Sequence, residues 1–196
     1  MKENIYEMKV ARTQQLLKET LIQLMSETSF EKITVRDLTA KAQLSRGTFY
    51  IHYLDKYDLM EKIQNDLLEA IQERLLSVHI VDAVQYDKQN RPYPPMVSVF
   101  DYIKSQGPML KVLLGPKGDP SFAPKMKMSL KEGMFKRIPS ANLILENVLI
   151  PSRFVSAFST SALLGVIEEW VANGMEQTSE EMALLYFKIK FIALRV

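Results

Sequence analysis

The chain has 196 residues, 47% of them hydrophobic and 24% charged, the proportions of an ordinary soluble globular protein of one or two domains. Disordered, collagenous and low-complexity classes are excluded. There is no cysteine, so no disulfide framework, thiolate metal site or cysteine nucleophile is available, and a reducing cytoplasmic setting is expected. The opening MKENIYEMKV lacks the apolar core of a signal peptide. The longest apolar uncharged stretch, Phe154 to Ile167, is 14 residues interrupted by Ser156, Ser159, Thr160 and Ser161, short of the about 20 residues of a membrane span. No membrane association is expected.

Helical spacing dominates the chain, and the alternation typical of strands is hard to find. Leu16, Leu17, Leu21, Leu24 and Met25 form the stripe of a first helix over about Lys9–Glu27. Thr34-Val35-Arg36-Asp37 has the form of a capping box and opens a short helix ending near Ala42. Ser45 caps an even shorter one reaching about Tyr53, and Asp55 caps a long one with Met60, Ile63, Leu67, Ile71 and Leu75 on one face. Residues 82–95, DAVQYDKQNRPYPP, read as a loop or domain junction. Helices are expected again over Pro95–Ser105, stopped by Gly107-Pro108, and over Met109–Leu114, stopped by Gly115-Pro116. Asp119-Pro120 opens a further helix striped by Phe122, Met126, Leu130 and Met134. Two long helices close the chain, Ser152–Asn173 ending at Gly174, and Ser179–Ala193 behind the capping box Thr178–Glu181. The expected fold is all-α.

Residues 34–53 thus hold two short helices joined at Ala42-Gln43-Leu44, lengths that suit a helix-turn-helix, whose second helix enters the DNA major groove. That second helix carries groups able to meet a duplex. Arg46 donates, Thr48 and Tyr50 offer hydroxyls, His52 offers an imidazole, and Gly47 permits close backbone approach. Phe49 is assigned to the core and its neighbour Tyr50 to DNA. Net charge is only +2, but residues 32–56 carry five basic side chains against Asp37 and Asp55, a modest local excess. Residues 111–137 carry seven against Asp119 and Glu132.

The run Ser45-Arg46-Gly47-Thr48-Phe49-Tyr50-Ile51-His52-Tyr53, with Lys56 three residues on, resembles the DNA-binding module of the tetracycline-repressor (TetR) family, over roughly residues 9–62. The resemblance implies DNA contacts at Arg36, Ser45, Arg46, Gly47, Thr48, Tyr50, His52 and Lys56, with Tyr50 and Lys56 gripping phosphates and Arg46 and Thr48 facing base edges. Family members usually place glycine in the turn where this chain has Gln43. The segment Leu113-Leu114-Gly115-Pro116-Lys117-Gly118-Asp119-Pro120-Ser121-Phe122 is similar, more weakly, to the regulatory domain of Gram-positive regulators of dihydroxyacetone-kinase type. Residues 1–55 are accordingly expected to form the DNA-binding domain, and 56–196 a helical regulatory and dimerisation domain entered by a connecting helix, Asp55–Val78.

Met96, Phe100, Met109, Phe122, Met126 and Met134 are candidates to line a pocket for a small apolar or anionic effector, since methionine suits adaptable surfaces; a plain helical core is the simpler reading and stands ahead of it. Phe154, Phe158, Ala162, Gly165 and Trp170, with Leu184, Phe187 and Phe191 of the last helix, are the candidate dimer interface, the resemblance implying pairing through the last two helices. Catalysis is not expected. With no cysteine, two distant histidines and no glycine-rich phosphate loop, nucleophilic and metal constellations are nearly unbuildable, and neither metal nor cofactor is anticipated. The expectation is a homodimeric, effector-released repressor of a near-palindromic operator. A co-activator controlled by a protein partner is the alternative.

Overall fold

The computed structural model describes residues 2–135, 143–145 and 148–194. The chain divides into two compact units, Met1–Asp66 with Val112–Asp119, and Leu67–Lys111 with Pro120–Val196. The expected partition at 55/56 differs in position: the first unit retains the opening turns of the connecting helix and adds a segment from the second half of the sequence.

In the first unit, α1 (Lys2–Glu27) starts seven residues before the expected point, because nothing in that stretch is a glycine or proline to stop it. Its buried face is Leu17, Leu21 and Met25, spaced by four. A 3-10 turn, Phe30–Lys32, leads to α2 (Val35–Lys41), α3 (Arg46–His52) and α4 (Lys56–Leu75). Leu38, Phe49, Leu59 and Ile63 complete the core, each burial contributing about 1.5–3 kcal/mol. The segment 112–119 docks through Lys117, whose ammonium donates to the Ser26 and Glu27 carbonyls at the end of α1, and Asp119, which accepts from the Gln64 amide of α4. Gly118 is required there: a Cβ would lie 2.3 Å from the Leu113 carbonyl oxygen.

The second unit contains α5 (Ile80–Lys88), α6 (Pro94–Ser105), α7 (Gly107–Leu113, whose last two residues fall in the first unit), α8 (Phe122–Phe135), α9 (Ser152–Ala172) and α10 (Ser179–Leu194). The helix α5 corrects the first half of the loop expected over 82–95, residues 82–88, while 89–93 are non-helical as expected. It is a surface helix, Ile80 and Val81 included among its exposed residues, anchored by fully buried Ala83 and by Tyr86, whose ring lies 5.2 Å from that of Tyr93. Gly107-Pro108 likewise opens α7 rather than merely stopping α6, since proline is tolerated in a first turn. α8 packs on α9, and α10 on α6 and α5. Phe100 meets Trp170 edge-on at 5.5 Å, and Phe187 stacks on Phe191 at 5.4 Å. α9 ends as expected at Gly174, in left-handed conformation at φ 74. By length and composition α9 could cross a membrane (mean hydropathy 1.2), yet Leu163, Ile167, Trp170 and Val171 are buried inside the unit, as in any core helix.

Besides the helices, β1 (Leu143–Leu145) and β2 (Val148–Ile150) pair antiparallel, Leu143 opposite Ile150 and Leu145 opposite Val148. Runs of three residues are too short to display alternation; among the described residues the fold is all-α apart from this pair.

Candidate nucleic-acid interface

The α2–α3 pair is held by local capping chemistry. The Thr34 hydroxyl accepts from the Asp37 amide at 3.2 Å, while the Thr34 amide donates back to the Asp37 carboxylate at 2.9 Å, the reciprocal box the sequence implies. The Thr34 hydroxyl also donates to that carboxylate, and these bonds hold the Asp37 carboxyl below the usual aspartate range. At the turn, Gln43 adopts φ 54, the left-handed conformation that glycine takes at no cost. Its amide donates to Ala40, and the Leu44 amide to Thr39, so the turn geometry survives the replacement.

Ser45 caps α3, its hydroxyl accepting from the Thr48 amide at 3.0 Å and sharing a 2.9 Å hydrogen bond with the Thr48 hydroxyl. Both side chains expected to meet DNA therefore also serve the helix start. Phe49 is fully buried and Tyr53 nearly so. These anchors turn the opposite face outward: Arg46 and Gly47 are exposed, Tyr50 is 49% exposed, and His52 is half-buried at the helix end. A Cβ on Gly47 would meet only the Ser45 hydroxyl, at 3.6 Å. Packing within the chain does not demand this glycine. Arg36 is exposed near the start of α2.

Two positions differ from the sequence reading. The resemblance implies a phosphate grip at Lys56, but its ammonium donates to the carbonyls of Phe30 (2.9 Å), Glu31 (2.8 Å) and Ile33 (2.9 Å). The Phe30 and Tyr57 rings flank it at 4.7 and 5.1 Å. Ile51, given no role from sequence, is 74% exposed. It lies four residues after Gly47, as Tyr50 lies four after Arg46, so all four share one side of α3; that spacing was the available signal.

The candidate effector-pocket residues are interior. Met96, Phe100, Phe122 and Met126 are at most 1% exposed, Met109 is buried, and Met134 is half-buried because Gly133 takes the inward position on α8. A Cβ on Gly133 would lie 3.0 Å from that of Leu75. The candidate dimer residues separate into two sets. Phe154 and Phe158 are 58% and 43% exposed, Gly165 is exposed with open space beside it, and Ala162 and Leu184 are half-buried. Trp170, Phe187 and Phe191 are buried within their own unit against Phe100 and Tyr93, so they are core and not free surface. The outward side of α10 instead presents Leu185, Ile189 and Ile192, which with Asn90 line a shallow groove of roughly 450 Å3.

Residues 19–63 match the family model described as bacterial regulatory proteins, tetR family, and residues 90–189 match that of a transcriptional regulator C-terminal region. A helix-turn-helix-type transcriptional regulator of Bacillus subtilis strain 168, YxbF, is 28% identical over 83 residues, 42% of this chain. The match spans only 22% of that relative's length. Among solved structures, a TetR transcriptional regulator of Streptococcus agalactiae 2603V superposes with a TM-score of 0.64 at 20% identity, covering 95% of this chain and 98% of that one. A TetR-family regulator of Syntrophomonas wolfei gives 0.67 at 16% identity, covering 94% and 96%. The dihydroxyacetone kinase operon activator DhaS gives 0.58 at 14% identity, covering 93% and 96%. At these identities the structural likeness is one of fold.

Proposed function

The chain belongs to the TetR family of bacterial transcriptional regulators, and from that membership we propose that it is a cytoplasmic homodimeric repressor whose two α3 helices enter successive major grooves of a near-palindromic operator. The observation that carries the reading is the outer side of α3. Arg46, Gly47, Tyr50 and Ile51 lie together in solvent while Phe49 and Tyr53 anchor the helix from behind. A guanidinium supplies the paired donors that guanine presents acceptors for, and an aliphatic side chain matches a thymine methyl. Arg36 and Tyr50 suit backbone phosphates.

Selecting duplexes from genomic fragments with the purified chain, then titrating one at several salt concentrations, tests this. With roughly three to five phosphates met per subunit, log K falls with log salt at a slope of about −5 to −9. Arg46→Ala weakens binding by about 1–3 kcal/mol and relaxes preference at one base pair of each half-site. A slope near −1 sinks the reading.

Release by a small effector is the first mode of control to test. The second is a co-activator governed by a protein partner, in which Met96, Phe100, Phe122 and Met126, buried in the interior, serve as plain helical core. A thermal-shift screen separates the two: a compound that raises the melting temperature by mass action and loosens the operator supports an effector. Operator occupancy that changes only with a second protein supports the co-activator.

A further inference from the structure

Lys56 is the first residue of α4, yet its ammonium turns back onto the chain ahead of α2. It donates to three carbonyls, Phe30, Glu31 and Ile33, all at 2.8–2.9 Å. These oxygens come from the 3-10 turn and the residue after it, a helix end that carries excess negative charge. The Phe30 and Tyr57 rings stand edge-on to each other at 5.3 Å and present faces to the same ammonium. All three donor protons of a lysine are thereby used. The contact joins the chain just before α2 to the chain just after α3, tying together Ile33 and Lys56, 23 positions apart, around the whole helix-turn-helix. Other side-chain tethers reach out of that pair through more exposed residues: Lys41 to Glu27 at 2.7 Å, and Lys62 to the His52 carbonyl at 3.4 Å and over the Tyr53 ring at 5.0 Å.

We propose that Lys56 is a positioning residue, which fixes the α2–α3 pair against α1 and α4 by clamping its two ends together, and that it makes no phosphate contact. The inference rests on the DNA-binding reading above. A phosphate would have to pull the ammonium from three carbonyls and two rings, whereas a docked Lys56 presents α3 in one orientation before DNA arrives.

The test uses the full chain and a duplex selected by the wild type, titrated at several salt concentrations with Lys56→Met and Lys56→Arg, at temperatures where circular dichroism reports folded protein. Both variants are expected to lose about tenfold in affinity while keeping the wild-type salt slope, because no counterion-releasing contact is lost. Arginine fails to rescue because its planar fork does not match three convergent carbonyls between two rings. A slope flatter by about 2 for the dimer, one contact per subunit, in Lys56→Met means a phosphate contact and overturns the proposal. So does full retention of affinity in Lys56→Arg. Unchanged affinity in Lys56→Met with a lowered melting temperature means that the clamp is structural only, and also overturns it. If Lys56→Met does not fold, Tyr57→Leu, which removes one exposed ring face, must lower affinity at constant slope or the proposal falls. A wild type that retains no duplex is seen before any variant is made and defeats the DNA-binding reading itself.

Discussion

Gln43 holds a backbone conformation that costs an L-residue about 1–2 kcal/mol, and nothing in its side chain is bonded in return among the described residues. Gln43→Gly should therefore raise the unfolding free energy by roughly 0.5–1 kcal/mol, the gain being trimmed by glycine's greater freedom in the unfolded chain. Urea melts would show a higher midpoint at unchanged slope; a lower midpoint would mean that the turn is not strained. Lys190 is the other residue whose placement opposes stability. It is 8% exposed, beside the Tyr186 ring at 5.7 Å, and burial pushes its pKa down to about 8. Between pH 8 and the ordinary lysine value near ~10.4 the unfolded chain binds a proton that the folded chain does not. Stability accordingly rises with pH across that window, by up to roughly 3 kcal/mol. Tyr53 and Tyr186, both pushed up by burial, oppose the trend from about pH 10, so urea midpoints at pH 7, 8, 9 and 10 are the informative series. Lys190→Met should be more stable than wild type at pH 7 and flat across it.

At the scale of elements, the short helices depend on their caps more than on propensity, since seven residues are too few to hold themselves. Thr34→Ala removes one half of the α2 capping box and should cost about 1 kcal/mol of stability. The Asp37 carboxyl is held below its usual range by its bonds to Thr34. Its contribution is complete above about pH 4 and is lost as pH falls through the lowered folded value. Thermal melts should show the wild type and Thr34→Ala clearly apart at pH 7 and converging in strong acid. Equal separation at both would assign the loss to the hydroxyl alone. The second box behaves alike in geometry: the Thr178 amide donates to Glu181 at 2.7 Å and the Glu181 amide to the Thr178 hydroxyl at 3.2 Å.

At the scale of the whole molecule, one module of this size grips a single half-site weakly, and specific operators usually present two about one helical turn apart. A dimer is therefore part of the proposed function, and the exposed Phe154 and Phe158 of α9 are where it should form. Phe158→Asp would strand a charge in an apolar contact between subunits at a cost of several kcal/mol. Because Phe158 is 43% exposed in the single chain, the variant should keep its helical circular dichroism, sediment as a monomer and lose operator binding with α3 intact. A dimer that still binds would put the interface elsewhere, with the outward Leu185, Ile189 and Ile192 of α10 as the next site to charge.

Local features were readable from the sequence because their causes are local. Both capping boxes, the Ser45 cap, the Gly174 stop and the inward Phe49 beside an outward Tyr50 follow from hydrogen bonds and spacings within four residues. The two short helices of the helix-turn-helix needed no more, while the family came from the resemblance carried by Ser45–Tyr53 and Lys56 and is shown by the family models. What depended on distant chain did not announce itself. Lys56 finds its carbonyls 23 to 26 positions away, and no spacing rule tells a clamping lysine from a phosphate-binding one. Trp170, Phe187 and Phe191 look like interface aromatics as a stripe, but each helix has two apolar sides, and only the packing of α9 and α10 against Phe100 and Tyr93 settled which side is interior. The helix α5 was hidden for the same reason: a polar segment is a loop or a surface helix according to what its few apolar residues find to bury against, and here that is Tyr93.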